Sequence, residues 1–175
     1  MIGFLLFYTM VLFSFNDDQS HMYWRTVNDA VMGGISNSNI THEDGVMTFS
    51  GNVSLENNGG FASCRTRPFS LDLSEYSHLS LRVRGDGQKY SFRIWTNTRW
   101  DGASYVQSFE TTEGEWQEIS LPLNEFYPQF RGYRLRDYPA LNPSKINQFG
   151  ILISDKQEGQ FNIEVDWIKA ANQPN

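Results

Sequence analysis

The sequence predicts an all-β fold, an antiparallel β-sandwich of the jelly-roll kind. Three observations predict it. Apolar and polar residues alternate with a period of two in several short runs. Glycine-rich turn signals separate those runs. Aromatic residues (13 Phe, 8 Tyr and 5 Trp) make up 15% of the 175 residues, enough to fill the space between two packed sheets. No window of about a dozen residues carries a helical stripe.

Each element follows from its own pattern. Leu79, Leu81 and Val83 alternate with Ser80, Arg82 and Arg84. Tyr90, Phe92 and Ile94 alternate with Ser91, Arg93 and Trp95. Phe161, Ile163, Val165 and Trp167 alternate with Asn162, Glu164 and Asp166. In each run the first set should face the core. Further strands are expected at 11–15, 46–54, 61–67, 105–109, 116–121 and 148–154, for nine or ten in all. Gly33-Gly34, Asn58-Gly59-Gly60 and Gly85-Asp86-Gly87 supply the positive backbone angles of tight turns. Residues 124–130 could form one helical turn, which Pro128 limits. Residues 131–143 hold a glycine, two prolines and many polar groups, and read as a long loop.

The length suits one domain, expected over 12–170 with a tail at 171–175. Residues 1–11 read as an apolar extension or a degenerate export signal. The first fifteen residues, MIGFLLFYTMVLFSF, are too short to span a bilayer. They lack the basic start and small-residue cleavage site of a secretory signal. A start at Met10 would make MVLFSF the first strand. The reading favours a cytoplasmic protein and leaves export open.

Composition excludes several classes. Twenty acids against 14 bases give a net charge of −6, which argues against a nucleic-acid binder. One cysteine excludes an internal disulfide and a cysteine-rich zinc site. His21, His42 and His78 show no metal-ligand spacing, and no nucleophile elbow, P-loop or dinucleotide fingerprint occurs. Cys64, in FASCRTR, should face the core, with Arg65 and Arg67 on the opposite face. A calcium site built from Asp17, Asp18 and Asp166 is conceivable in a sandwich but has no supporting spacing.

Binding candidates are easier to find than catalytic ones. In VNDAVMGGIS, Asn28 and Asp29 can bond the local backbone, while Gly33 and Gly34 permit a close approach. Arg65, Arg82, Arg84 and Arg93 sit opposite apolar positions on expected strands, as a solvated face or a lined groove. Trp95, Tyr105 and Gln107 are placed provisionally on that face. Phe130-Arg131-Gly132 could form a partner-binding tip.

Five segments in order then resemble the complex I intermediate-associated protein 30 family. They are LFSF with WRTVNDAVMGGIS, GGFASCRTRPF, LRVRGDGQKYSFRI, WQEISLPLNEFYPQFRG and FGILISDKQEGQFNIEVDWIKA. The resemblance runs from about Leu12 to Ala170. It implies a galactose-binding-domain-like jelly roll, in agreement with the strand pattern. It also implies a non-catalytic protein that assists assembly of respiratory NADH:ubiquinone oxidoreductase or a similar complex; the sequence shows no mitochondrial presequence or second domain, so a stand-alone, bacterial-type member is expected. The partner would be a protein, namely respiratory assembly intermediates, with any membrane reached only through it. No catalytic residue, metal or cofactor is expected. The expected binding residues are Asn28, Asp29, Gly33, Gly34, Arg65, Arg84, Trp95, Tyr105, Gln107, Arg131 and Asp155. Each of these also has a plain role in salt bridges and turns. Two other classes stay open: a carbohydrate-binding module, which needs exposed flat rings, and a hydrolase, which needs an Asp/Glu pair across a cleft.

Overall fold

The computed structural model describes residues 9–16, 23–99 and 102–172, with only the backbone of Val31. Expectations for residues 1–8, Asp17, Asp18 and His21 lie outside the described residues. The strands are β1 (Thr9–Ser14), β2 (Trp24–Thr26), β3 (Asn37–Glu43), β4 (Val46–Val53), β5 (Ala62–Thr66), β6 (His78–Arg84) and β7 (Lys89–Trp95). They continue as β8 (Ser104–Glu110), β9 (Trp116–Pro122), β10 (Tyr127–Phe130), β11 (Tyr133–Arg134), β12 (Gln148–Ile153) and β13 (Gly159–Ala171). One sheet runs β3-β4-β13-β6-β9, and β1 also pairs with β13. The other runs β11-β10-β8-β7-β12-β5-β2. Every strand ladder is antiparallel. The chain is an all-β sandwich.

Alternation decides which face each strand buries. Leu79, Leu81 and Val83 on β6, and Tyr90, Phe92 and Ile94 on β7, are fully buried. Between the sheets Phe149 packs 5.3 Å from Phe69 and 5.4 Å from Phe92, ring centre to ring centre, and Phe13 packs 5.5 Å from Trp24. The aromatic load is therefore mainly core material, as a thick interlayer requires.

Three local expectations are corrected. The β13 register shifts between Val165 and Trp167, so Ile168 and Ala170 take the core positions. Trp167 is turned to the outer face, where Lys169 Nζ lies 3.8 Å from its ring centre. A bulge adds one residue and flips the faces beyond it, which a strict period of two cannot anticipate. The expected helical turn at 124–130 is a short 3-10 turn, Leu123–Glu125, followed by β10. The expected loop at 131–143 begins inside a hairpin, because Phe130 pairs with Tyr133 and Gln129 with Arg134. Arg131 and Gly132 have φ of 47° and 83°, as the two-residue turn of a hairpin demands. With β3 and the short strands β2, β10 and β11 added to the nine expected runs, the count among the described residues is thirteen.

The RGDG turn shows how sequence fixes a connection. The Asp86 carboxylate accepts from Gln88 N at 3.1 Å, Asn162 N at 2.8 Å and the Tyr90 hydroxyl at 3.0 Å. It thereby ties the β6–β7 turn to β13. A side chain at Gly85 would meet Thr111 at 2.4 Å, so the turn needs glycine there.

Candidate functional site

The outer face of the second sheet carries the candidate site. Register places one row of residues across its strands. Arg25 on β2 lies opposite Arg65 on β5, and Arg65 lies opposite Gly150 on β12. Gly150 in turn lies opposite Arg93 on β7. Three arginines thus share a row interrupted by one glycine. Like charges in adjacent cross-strand positions repel. The glycine has a steric cause: a Cβ at position 150 would stand 2.9 Å from the Trp95 ring. The ring lies over the bare backbone, with the Arg65 guanidinium 3.8 Å and the Arg93 guanidinium 4.8 Å from its centre. Both are cation–π contacts.

Polar neighbours hold these cations in place. Arg65 Nη2 donates to Gln148 Oε1, and Gln148 Nε2 donates to Thr66 O at 2.8 Å. Arg93 Nε and Nη2 donate to Ser104 Oγ at 3.0 and 2.8 Å. Burial, then the nearby charges of Arg93 and Arg25, lower the Arg65 pKa to about 10. Burial lowers that of Arg93 to about 10 as well. Both remain cations at neutral pH.

Loops raise walls around this floor. Asn28 precedes a 3-10 turn, Asp29–Met32, which Gly33 ends at φ 86°. The buried Asp29 carboxylate accepts from Ser36 N at 3.1 Å and Ser36 Oγ at 2.5 Å. It also accepts from Gly60 N at 2.8 Å and Phe61 N at 3.3 Å. One side chain therefore ties the VMGGIS loop to the loop between β4 and β5. Burial opposes its ionisation, but the Ser36 hydroxyl and the Gly60, Phe61 and Ser36 N–H groups outweigh that and hold its pKa below the ordinary value. A Cβ on Gly34 would meet the Asp29 carboxyl at 2.4 Å, so a larger residue there would displace the hub. Asn28 Oδ1 accepts from Ser38 Oγ at 2.7 Å and Ser63 N at 3.4 Å, anchoring the same wall to β3 and β5.

Floor and walls enclose a groove of about 380 Å³. Met32 and Gly59-Gly60 line one part, Phe130 and Arg131 another, and Asp155 a third. Among the described residues, the non-glycine residues Asn57, Asn58, Arg131, Asp155 and Lys156 have positive φ in three of the four loops that form these walls, and Asp44 lies elsewhere. Such backbone costs free energy and tends to gather at functional sites.

The structure brings Arg65, Trp95, Arg131 and Asp155 together in the groove lining. Asn28, Asp29, Gly33 and Gly34 build its wall. Arg84 is not part of it: it lies on β6 of the other sheet and forms a two-point ion pair with Glu164, at 2.5 and 2.8 Å. Tyr105 and Gln107 do not share the arginine face either. They pair with Ile94 and Phe92, so they point inward, and Tyr105 donates its hydroxyl to Pro139 O at 3.0 Å. Alternation starts at Ser104 rather than Tyr105, which reverses the provisional placement. Met32 carried no signal as a groove residue, nor did Arg25, Gly150 and Ser104 as members or supports of the arginine row. Strand register alone reveals the arginine row, and a single sequence does not display register.

Other chemistry finds little footing among the described residues. No cluster of three metal-ligating side chains occurs among them. Asp166 is ion-paired with Arg82. Cys64 is fully buried on the core side of β5, and burial pushes its thiol pKa far up. Asp155, the one described carboxylate in the groove lining, is paired with Lys89 at 3.2 Å. No described helix is long and apolar enough to cross a membrane.

Comparison with known proteins adds the family. The family model for complex I intermediate-associated protein 30 matches residues 13–165. An uncharacterized protein of Schizosaccharomyces pombe is 30% identical, over 92% of this chain and 83% of that protein. The mitochondrial complex I intermediate-associated protein 30 of Mus musculus is 34% identical, over 62% of this chain and 34% of that protein. The probable counterpart in Caenorhabditis elegans is 28% identical, over 79% of this chain and 47% of that protein. The chain therefore matches less than half the length of these two mitochondrial relatives. A family 11 carbohydrate-binding module from Clostridium thermocellum, in complex with a β-1,3-1,4-mixed-linked tetrasaccharide, superposes with a TM-score of 0.70. It shares 19% identity, over 94% of this chain and 95% of that one, which establishes the jelly-roll architecture alone. By the extent of the family match and the order of its five segments, the chain belongs to the complex I intermediate-associated protein 30 family.

Proposed function

We propose that this chain is a non-catalytic binding protein that assists assembly of respiratory NADH:ubiquinone oxidoreductase or a similar complex. It would hold a protein partner in the groove on the second sheet and reach a membrane only through that partner. One observation carries the reading: three wall loops with positive-φ residues converge on an arginine-floored groove. The names of the mitochondrial relatives support the assembly role. The carbohydrate alternative needs a flat ring open to solvent. Trp95 is only 4% exposed and lies beneath two guanidinium groups. The hydrolase alternative needs two facing carboxylates, and only Asp155 lines the groove among the described residues. The test is deletion of the gene in its own host, with respiratory complexes resolved on native gels. Accumulated subassemblies, rescued by the wild-type gene, are the expected result. Unchanged assembly in the deletion strain would overturn the proposal.

A further inference from the structure

The chemistry of the groove indicates what kind of segment fits it. Its lining is locally basic, although the chain as a whole carries a net charge of −6. Among the described residues, Arg65, Arg93 and Arg131 line it, against Asp155, which Lys89 already engages. Arg93 is the informative member. Two of its nitrogens are used by Ser104, and among the described residues it forms no ion pair and its Nη1 donates no hydrogen bond. A half-buried guanidinium with a spare edge is suited to a carboxylate, which accepts from two parallel N–H groups. Two exposed apolar side chains stand on the sides of the groove. Met32 is 58% exposed and Phe130 is 36% exposed, and both line it. Exposed Met and Phe beside a central Arg resemble the anchor composition of protein-binding surfaces.

We propose that the groove receives an extended, acidic segment of a protein partner, with a carboxylate on Arg93 and an adjacent apolar side chain between Met32 and Phe130. This rests on the binding role proposed above and names the chemistry of its partner. Electrostatic complementarity supplies specificity, and the two apolar side chains supply burial. A nucleic acid would need a wider basic face than three arginines in a chain of net charge −6. A sugar would find the one described ring of the floor, Trp95, buried beneath guanidinium groups.

The test uses the full chain and fluorescence anisotropy with three labelled, end-blocked hexapeptides. One alternates glutamate and leucine, one alternates glutamine and leucine, and one alternates lysine and leucine. The glutamate peptide should bind at least about tenfold more tightly than the glutamine peptide, and the lysine peptide should bind most weakly. Arg93→Gln should remove that preference. Because Arg93 also bonds Ser104, Arg131→Gln serves as a second variant on an exposed residue, and should weaken the glutamate peptide about threefold with no change in melting temperature. Equal binding of the glutamate and glutamine peptides would overturn the acidic preference. So would absence of peptide binding, or saturable binding of a mixed-linkage β-glucan oligosaccharide in its place. The assembly role is read separately from the native gels, so an inert peptide with defective assembly in the deletion strain refutes only the partner chemistry.

Discussion

Asp29→Ala is expected to be among the most destabilising single substitutions on the groove wall. The carboxylate is buried and accepts four hydrogen bonds, two of them at 2.5 and 2.8 Å. Truncation removes all four and leaves the N–H groups of Ser36, Gly60 and Phe61 without this acceptor. Hydrogen bonds to a charged group contribute about 1.5–3 kcal/mol each, and neighbouring ones do not add fully. Water can reach part of the opened wall, so the net loss is set at about 3–4 kcal/mol. For a domain of this size that lowers the melting temperature by roughly 10 °C. Urea unfolding by tryptophan fluorescence, checked by calorimetry, measures it. The folded pKa of Asp29 is depressed, so its contribution is full above the unfolded carboxyl value of about 3.9 and is lost as pH falls through the folded value. The gap between wild type and variant should stay constant from neutral pH to about pH 5 and narrow below about pH 4. A variant within about 1 kcal/mol of wild type at neutral pH would refute the hub, as would a gap that widens below about pH 4.

Three further expectations concern the groove and its surroundings. Gly150→Ala pushes a methyl group against the Trp95 ring and Cys64 O, both 2.9 Å away, and should cost about 1–3 kcal/mol while altering the near-UV circular dichroism. An unchanged spectrum would remove Trp95 from the floor. Cys64 should resist a thiol reagent at pH 8 in the native state and react only at the rate of unfolding; rapid native labelling would contradict its burial. Arg84→Gln breaks an exposed ion pair on the opposite sheet and should leave peptide binding unchanged, whereas reduced binding would extend the site beyond the groove.

Much of the sandwich was legible because one-sided burial imprints a period of two. Leu79, Leu81 and Val83 announced β6, and their burial follows directly. The exceptions have physical causes. Trp167 left the core face because a bulge changed the phase of β13. The β10–β11 hairpin escaped notice because Arg131 takes a positive φ that asparagine or glycine usually signals. The wall residues Asn28, Asp29, Gly33 and Gly34 were visible through their turn chemistry. Arg65, Trp95, Arg131 and Asp155 were singled out separately, but nothing local showed that they meet. Gly150 and Ser104 had no signal, since their roles exist only once β12 and β8 sit beside β7. Register converts scattered residues into a site, and it is a property of the folded sheet.

Co-purification from the native host tests the central claim most directly, using tagged wild-type protein beside its Arg93→Gln variant with both confirmed as folded. The account predicts that wild type recovers respiratory assembly intermediates and that the variant loses most of them. Recovery of no respiratory subunit by wild type, or equal recovery by both proteins, would contradict it.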